Sequence, residues 1–302
     1  LLPALNNALS ASLTGRKGPT LVDIPNDIQR MEIPDEEVAK WLAAPLNNKL
    51  EDRKEFPREE LARLNELCSG ARRPLICIGG GARWSSALQP WLIKLEKFGI
   101  PYVSTLMGHE RVQAGQHYLN MIGAYGNREA NWALQNCDLL VVLGARLDIR
   151  QTGANTEDFA RNAKIVQVDI DSAQLNNRVK ADIAICLSTE NFLNQFILND
   201  QTFKNIEASW RDELTAKRQQ FDIDEYLDWK ISPTQIFKIL NTVMQGRAID
   251  YVCDVGNHQM WAAQGIRLGE NQAVHYSGGM GAMGFALPAA IGVALSASGK
   301  TV

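Results

Sequence analysis

Beyond Glu270 this chain of 302 residues contains no aspartate or glutamate. The absence bears on "SGGMGAMGFALPAAIG" (277–292), where Gly279, Gly281 and Gly284 spell G-x-G-x-x-G after the strand-like "AVHYS". A dinucleotide site of that kind also needs an acidic residue about 20 positions on, to hold a ribose hydroxyl. None follows, so a nicotinamide oxidoreductase built on this turn is disfavoured. Disulfide frames and zinc ribbons are missing too: the five cysteines are odd in number, scattered, and never spaced C-x-x-C. Cys77, Cys137, Cys186 and Cys253 lie in or beside apolar runs and read as buried, reduced thiols of a cytoplasmic protein. There is no basic block in a chain of net charge −3, which argues against nucleic acid as a partner. No apolar run approaches the roughly 18 residues of a membrane span.

What is present is an ordinary globular composition, 45% hydrophobic and 22% charged, in a length that suits about two domains. Apolar strand-like runs alternate with helical patterns, the mark of parallel α/β architecture. Strands are expected at "TLVDIP", "RPLICIGGG", "IPYVSTL", "CDLLVVLGA", "KIVQVDID", "ADIAICL" and "AIDYVCDVG". Helices are expected at "FPREELARLNELCSGA", with Leu61, Leu64 and Leu67/Cys68 inward, at "SSALQPWLIKLEKFG", at "NREANWALQN", and at "SPTQIFKILNTVM" with Ser232 as its N-cap. Continuous apolar strands imply a sheet covered on both faces. "MEIPDEEVAKWLAAPLNNKLEDRKEFP" reads as a polar, proline-punctuated linker, and the charge-rich 201–229 as a helical connector. The chain opens without Met inside a helical pattern and closes on "SASGKTV", where a strand begins, so it reads as a piece of a longer chain.

Two strand–turn–helix junctions are candidate anion sites. In "DVGNHQMWAAQ" (254–264) Gly256 turns the chain, Asn257 can cap, and His258 at the helix start can donate to a phosphate. An exposed capping turn with an incidental histidine is the alternative. In the glycine-rich turn the helix expected near Gly284 points its N–H groups at the loop, which favours an anion; a plain tight turn is the alternative.

"VGNHQMWAAQ" followed by "SGGMGAMGFALPAAIG" closely resembles the opening of the diphosphate-binding domain of thiamin-diphosphate enzymes, specifically the acetolactate synthase family. "GRKGPTLVDIPNDIQ" resembles the end of that family's pyrimidine-binding domain. "GGGAR", "STLMG", "NWALQNCDLLVVLGARLDIRQTG" and "AKIVQVDID" resemble its central domain in order and spacing. The resemblance covers nearly the whole chain and is weakest at 201–230. It implies an α/β protein of three-layer αβα type. A central Rossmann-like parallel sheet domain, FAD/NAD-binding-like, would be joined to part of a thiamin-diphosphate-binding α/β domain. The implied division is 1–34 the end of the pyrimidine domain, 35–200 linker and central domain, 201–230 connector, and 231–302 the start of the diphosphate domain.

Carried over residue by residue, the resemblance places Val255, Gly256, Asn257 and His258 beside the cofactor diphosphate. The carbonyl of Gly281 would accept from the aminopyrimidine, and Met283 would wedge the cofactor in its bent form. For FAD the matching positions are Gly79, Gly80, Gly81, Thr105, Leu106, Met107, Gly123, Gly126, Gly144, Ala145, Arg146, Asp169 and Asp171. Three glycines at a strand end are also the usual phosphate cradle of an open α/β sheet, or simply a strand-to-helix turn. Arg150 matches a substrate-channel arginine; its alternative is a surface residue. The implied cofactors are thiamin diphosphate, Mg²⁺ and FAD. The implied activity is decarboxylation and carboligation of 2-keto acids, a lyase or transferase chemistry of amino-acid biosynthesis. The implied assembly is a homodimer or homotetramer.

The pattern departs in places. Asn257 stands for a glutamine, "LDIR" (147–150) for F-D-D-R, and "HERVQAGQHYLN" (109–120) for a more regular stretch. These fit a divergent lyase acting on another 2-keto substrate. The resemblance puts the catalytic glutamate before residue 1 and the Mg²⁺ ligands after residue 302, so no acid here is assigned as the base and a fragment alone is expected to be inactive. A non-catalytic nucleotide- or flavin-binding module is the competing class.

Overall fold

A computed structural model describes residues 1–43, 55–221, 232–296 and 299–302. It divides into two compact units, Leu1–Lys54 and Glu55–Val302. The first holds helices α1 (Leu2–Leu13), α2 (Asn26–Gln29) and α3 (Asp35–Ala43). The strand expected at "TLVDIP" does not form. A strand exists by pairing its N–H and C=O groups with a neighbour, and no ladder partner stands beside residues 20–25 among the described residues. Part of the expected linker is helical, as α3; its residues 44–54, like 222–230 of the connector, lie outside the described residues.

The second unit is built on six parallel strands: β1 (Pro74–Ile78), β2 (Tyr102–Ser104), β3 (Tyr118–Met121), β4 (Leu139–Leu143), β5 (Lys164–Asp169) and β6 (Ile183–Cys186). Their order across the sheet is β3-β2-β1-β4-β5-β6. The chain leaves β1 in one direction and returns on its other side at β4, which makes a topological switch point between the carboxyl ends of those strands. β1 and β4 are buried end to end. Along β1 the side chains alternate: Ile76 and Ile78 join one core, Leu75 and Cys77 the other. α4 (Arg58–Gly70), α5 (Leu88–Phe98) and α9 (Thr189–Gln195) cover the first face with Leu64, Cys68, Trp91, Leu95 and Phe192. The second face is covered by α7 (Arg128–Asn136) and α10 (Ala208–Gln220) through Ala133, Leu134, Trp210 and Leu214. Short turns α6 (Leu106–His109) and α8 (Ile149–Thr152) follow β2 and β4. The result is the three-layer αβα arrangement expected.

Three expectations change here. The charge-rich connector contributes α10 to the sheet's covering layer. Its Trp210 is fully buried, donates to the Pro74 carbonyl at 3.2 Å and stacks on Trp132. β3 forms inside "HERVQAGQHYLN", where no strand is expected from the irregular pattern. Of the thiols, Cys77 and Cys137 are buried, as is Cys68, whereas Cys186 and Cys253 are only half-buried at strand ends; all five are free.

Beyond α10 come α11 (Pro233–Val243), β7 (Ile249–Cys253), α12 (Asn257–Gly265), β8 (Gln272–Tyr276) and α13 (Ala286–Ser296). β7 and β8 pair in parallel, and Thr301 bridges to Ile249 in the same sense, so the expected strand at the chain's end begins to form. No described helix is long and apolar enough to cross a membrane.

Candidate functional site

The two segments singled out around Gly256 and Gly281 meet through one side chain. Asp254 follows β7 directly. Its Oδ1 accepts from the backbone N–H of Gly284 at 3.0 Å and of Val255 at 2.7 Å, and its Oδ2 accepts from Ala286 N–H at 3.0 Å. Ala286 is the first residue of α13, so the carboxylate caps that helix from across the fold and fastens the glycine-rich turn to the end of β7. Those donors, with a smaller contribution from His258, hold its pKa below the usual aspartate value. The anion expected at this helix start is therefore the protein's own carboxylate, and the helix begins at Ala286 rather than near Gly284. Sequence reading quoted Asp254 without giving it a role; the signal was an acid at the strand end, two residues before a turn glycine.

The other anion candidate stays open. α12 starts at Asn257, and Gly256, not Asn257, is its N-cap, with no side chain satisfying the first N–H groups. Gly256 has a φ of 150° and the His258 imidazole 3.0 Å from where a Cβ would stand, so a larger residue is strained there on both counts. Gly256, Asn257 and His258 are exposed and Val255 is half-buried. In the glycine-rich turn Gly281 and Gly284 hold φ of 66° and 83°, and added Cβ atoms at Gly279, Gly281 and Gly284 would meet nothing within 4 Å. Met283 stands 83% exposed. This is an open turn that carries an exposed, long apolar side chain. It fits a diphosphate at the amino end of α12 and a flat ring against the turn.

The positions proposed for FAD gather at the carboxyl edge of the six-stranded sheet, where an open α/β sheet binds ligands. Gly79–Gly81 nevertheless do not form an open phosphate cradle. Gly79 N–H donates to Leu143 O at 2.7 Å and Gly81 N–H to Gly144 O at 2.9 Å. An added Cβ on Gly79 would overlap the Gly144 carbonyl, and one on Gly144 would lie 2.8 Å from Gly81 Cα. These glycines let the β1 and β4 turns pack backbone against backbone. Ala145, just after, is buried beneath them. Gly123 and Gly126 likewise press on the Arg150 and Met121 carbonyls. Thr105 caps α6 by accepting from Gly108 N–H, and Leu106 is half-buried behind it. Arg146 pairs with Asp148 at 3.2 Å. Asp169 is buried and accepts from Asp171 N–H, while Asp171 accepts from Ala173 N–H. Arg150 is exposed on α8. Met107 lies between the two regions: added Cβ atoms on Gly80 and on Gly278 would both strike its side chain.

The irregular stretch 109–120 proves to be the joint between the central sheet and the β7–β8 unit. His109 is fully buried. Its Nε2 lies 3.0 Å from the Ile266 carbonyl, which only accepts, so that nitrogen carries the proton and Nδ1 accepts from Tyr276 Oη at 2.9 Å. Burial pushes its pKa down to about 4. Beside it Glu110 takes Arg83 Nη1 at 2.7 Å and Tyr276 N–H at 2.9 Å. Burial nevertheless raises the Glu110 pKa. Sequence reading singled out none of His109, Glu110 or Tyr276 as a contact, because their meeting depends on a separation of some 160 residues along the chain. Among the described residues no cluster of His, Cys, Asp and Glu is arranged to hold a metal.

Comparison with known proteins matches two stretches of the chain. Residues 61–196 match the family description "Thiamine pyrophosphate enzyme, central domain", and residues 254–302 match "Thiamine pyrophosphate enzyme, C-terminal TPP binding domain". Among relatives, the chain is 36% identical to "Probable acetolactate synthase 2, chloroplastic" of Oryza sativa subsp. japonica, over 99% of its own length and 45% of that protein's. It is 34% identical to "Acetolactate synthase 2, chloroplastic" of Nicotiana tabacum, with the same coverage. It is 35% identical to "Acetolactate synthase, chloroplastic" of Arabidopsis thaliana, over 97% and 44%. The chain thus spans less than half the length of these relatives. With both family descriptions met in order and the site's two segments joined as described, the chain belongs to the thiamine pyrophosphate (thiamin diphosphate) enzymes.

Proposed function

We propose that the full-length protein is a thiamin-diphosphate-dependent 2-keto-acid decarboxylase and carboligase of the acetolactate synthase kind. The observation that carries this is the open glycine turn fastened by Asp254 to the end of β7, beside the uncapped amino end of α12. In this reading Val255, Gly256, Asn257 and His258 receive the diphosphate, the Gly281 carbonyl accepts from the aminopyrimidine, and Met283 sets the angle between the rings. The bound cofactor supplies the carbanion chemistry. The chain's own contribution is to position it: φ values reserved for glycine bring backbone against a flat ring, and the helix start offers N–H groups to an anion. Mg²⁺ with the diphosphate, the 2-keto-acid substrates, the domain division at 34/35 and 230/231 with α10 counted in the central layer, and the cytoplasmic location are parts of the same proposal. So is a homo-oligomeric state. It is supported by the stripe Leu287, Ile291 and Leu295 along α13, exposed at 73%, 55% and 83%, an apolar surface that a solvated helix does not present.

The test is acetolactate formation from pyruvate by the full-length protein, with and without added thiamin diphosphate and Mg²⁺. Cofactor-dependent product is expected. Met283→Ala should lower the rate about tenfold or more while leaving the melting temperature unchanged, since so exposed a side chain adds little packing. Product formed equally without the cofactor would sink the reading.

FAD at the carboxyl edge of the central sheet is a further element of the proposal, resting on the switch-point location with Gly80 and the strand-end acid Asp169. It is checked by flavin absorbance near about 450 nm in the purified full-length protein. A colourless, active preparation removes it.

A further inference from the structure

A small cleft lies at the amino-terminal edge of the central sheet, where β2 and β3 begin and α10 crosses them. Gln116, His117, Leu119, Arg211, Leu214 and Arg218 line it. Both arginines come from one face of α10, seven residues apart, with Leu214 between them packed into the core. Their guanidinium groups are held by backbone carbonyls alone. Arg218 Nη1 donates to Gln116 O at 2.9 Å and its Nη2 to Tyr118 O at 2.5 Å; Arg211 Nη2 donates to Phe98 O at 3.4 Å. The Nε–H of each is buried and has no partner. Among the described residues neither arginine forms an ion pair with a carboxylate.

Two acids act on Arg218 from nearby, Glu129, which is buried, and Glu96; Glu96 is already engaged by the backbone N–H groups of Gln116 and His117, each at 3.0 Å. A second basic ring stands in the same wall: burial, together with the two arginines, lowers the His117 pKa against the pull of Glu96. The unpartnered Nε–H groups are buried in the wall; the cleft itself is lined by two arginines without carboxylate partners among the described residues, an arrangement that suits an oxyanion. Eight residues line the cleft, which limits the occupant to a small group.

We propose that this cleft is a binding site for a small phosphate-type oxyanion, held by Arg211 and Arg218 with His117 beside them. It is at the opposite edge of the sheet from the β1 and β4 turns, so it does not depend on the cofactor reading of those turns. Phosphate suits it better than a carboxylate, because its several acceptor oxygens can take N–H donors from two separate guanidinium groups.

The test is isothermal titration of the full-length protein with inorganic phosphate, with acetate, and with chloride, all at one ionic strength. Saturable binding of phosphate is expected, with acetate weaker and chloride without effect. Arg211→Gln should weaken phosphate binding at least about tenfold, the loss of one charge-assisted hydrogen bond. Thr215→Glu should do the same without removing an arginine. Thr215 is exposed at the cleft, and its replacement sets a carboxylate there on a residue whose loss leaves the core untouched. Circular dichroism of both variants should match the parent. The proposal is overturned if phosphate gives no saturable heat. Acetate binding as tightly as phosphate, or both variants binding phosphate like the parent, would overturn it equally.

Discussion

Asp254 shows how a single residue assembles the site. Its carboxylate satisfies three N–H groups from two segments about thirty positions apart. An asparagine has one acceptor oxygen where aspartate has two, so Asp254→Asn must release the turn, the helix start, or both. Because the folded pKa is depressed, the stability this group contributes is present above the unfolded aspartate value of about 4 and is lost as pH falls through the lower folded value. Thermal melts of Asp254→Asn from pH 7 to pH 3 should therefore start lower at pH 7 and fall less steeply below about pH 4 than those of the parent. At this scale the sequence was legible where a residue type has one use. Gly281 and Gly284 hold the left-handed backbone that glycine permits. It was illegible at His109 and Asp254, because a buried histidine and a cross-fold cap are defined by partners far along the chain.

At the scale of elements, the strands of the central sheet could be read one by one, since a strand buried on both faces is a short unbroken apolar run. β3 and "TLVDIP" mark the limit from both sides. β3 is four buried residues that end a stretch with no strand-like run, yet it pairs with β2; residues 20–25 carry a strand-like sequence and pair with nothing described. Pairing, not pattern, decides. The glycines at the ends of β1 and β4 make the same point. Read locally they suggest an open phosphate cradle; folded, they close on each other. Substitution separates the two kinds of glycine. Gly79→Ala drives a methyl into the Gly144 carbonyl and should cost about 3 kcal/mol or more. Gly279→Ala meets nothing within 4 Å and should stay within about 0.5 kcal/mol. Urea midpoints of the two variants measure the contrast; equal midpoints would refute the packing role given to Gly79.

For the molecule as a whole, the joint at His109, Glu110 and Tyr276 links the central sheet to the β7–β8 unit. His109 is held neutral, with a pKa near 4 against an ordinary 6.5. A neutral buried histidine favours the folded state above the unfolded value, and that advantage disappears as pH falls from about 6.5 towards 4. The full effect is at most about 3 kcal/mol. Urea stability measured between pH 7 and pH 4 should show this decline, and His109→Gln should flatten it. An unchanged slope in the variant would assign the decline to other groups. Family and layer architecture were determined by the sequence itself. They rest on local matters: periodicity, unbroken apolar runs, and glycines in a dense, specific order. Only the tertiary structure decided that Asp254 fills one of the two expected anion sites, that the β1 and β4 glycines pack on each other, that α10 belongs to the central layer, and that two arginines line one cleft at the far edge of the sheet. Each of these depends on which distant groups arrive within hydrogen-bond or van der Waals range, and that is settled by the folded backbone rather than by the spacing of residues along the chain.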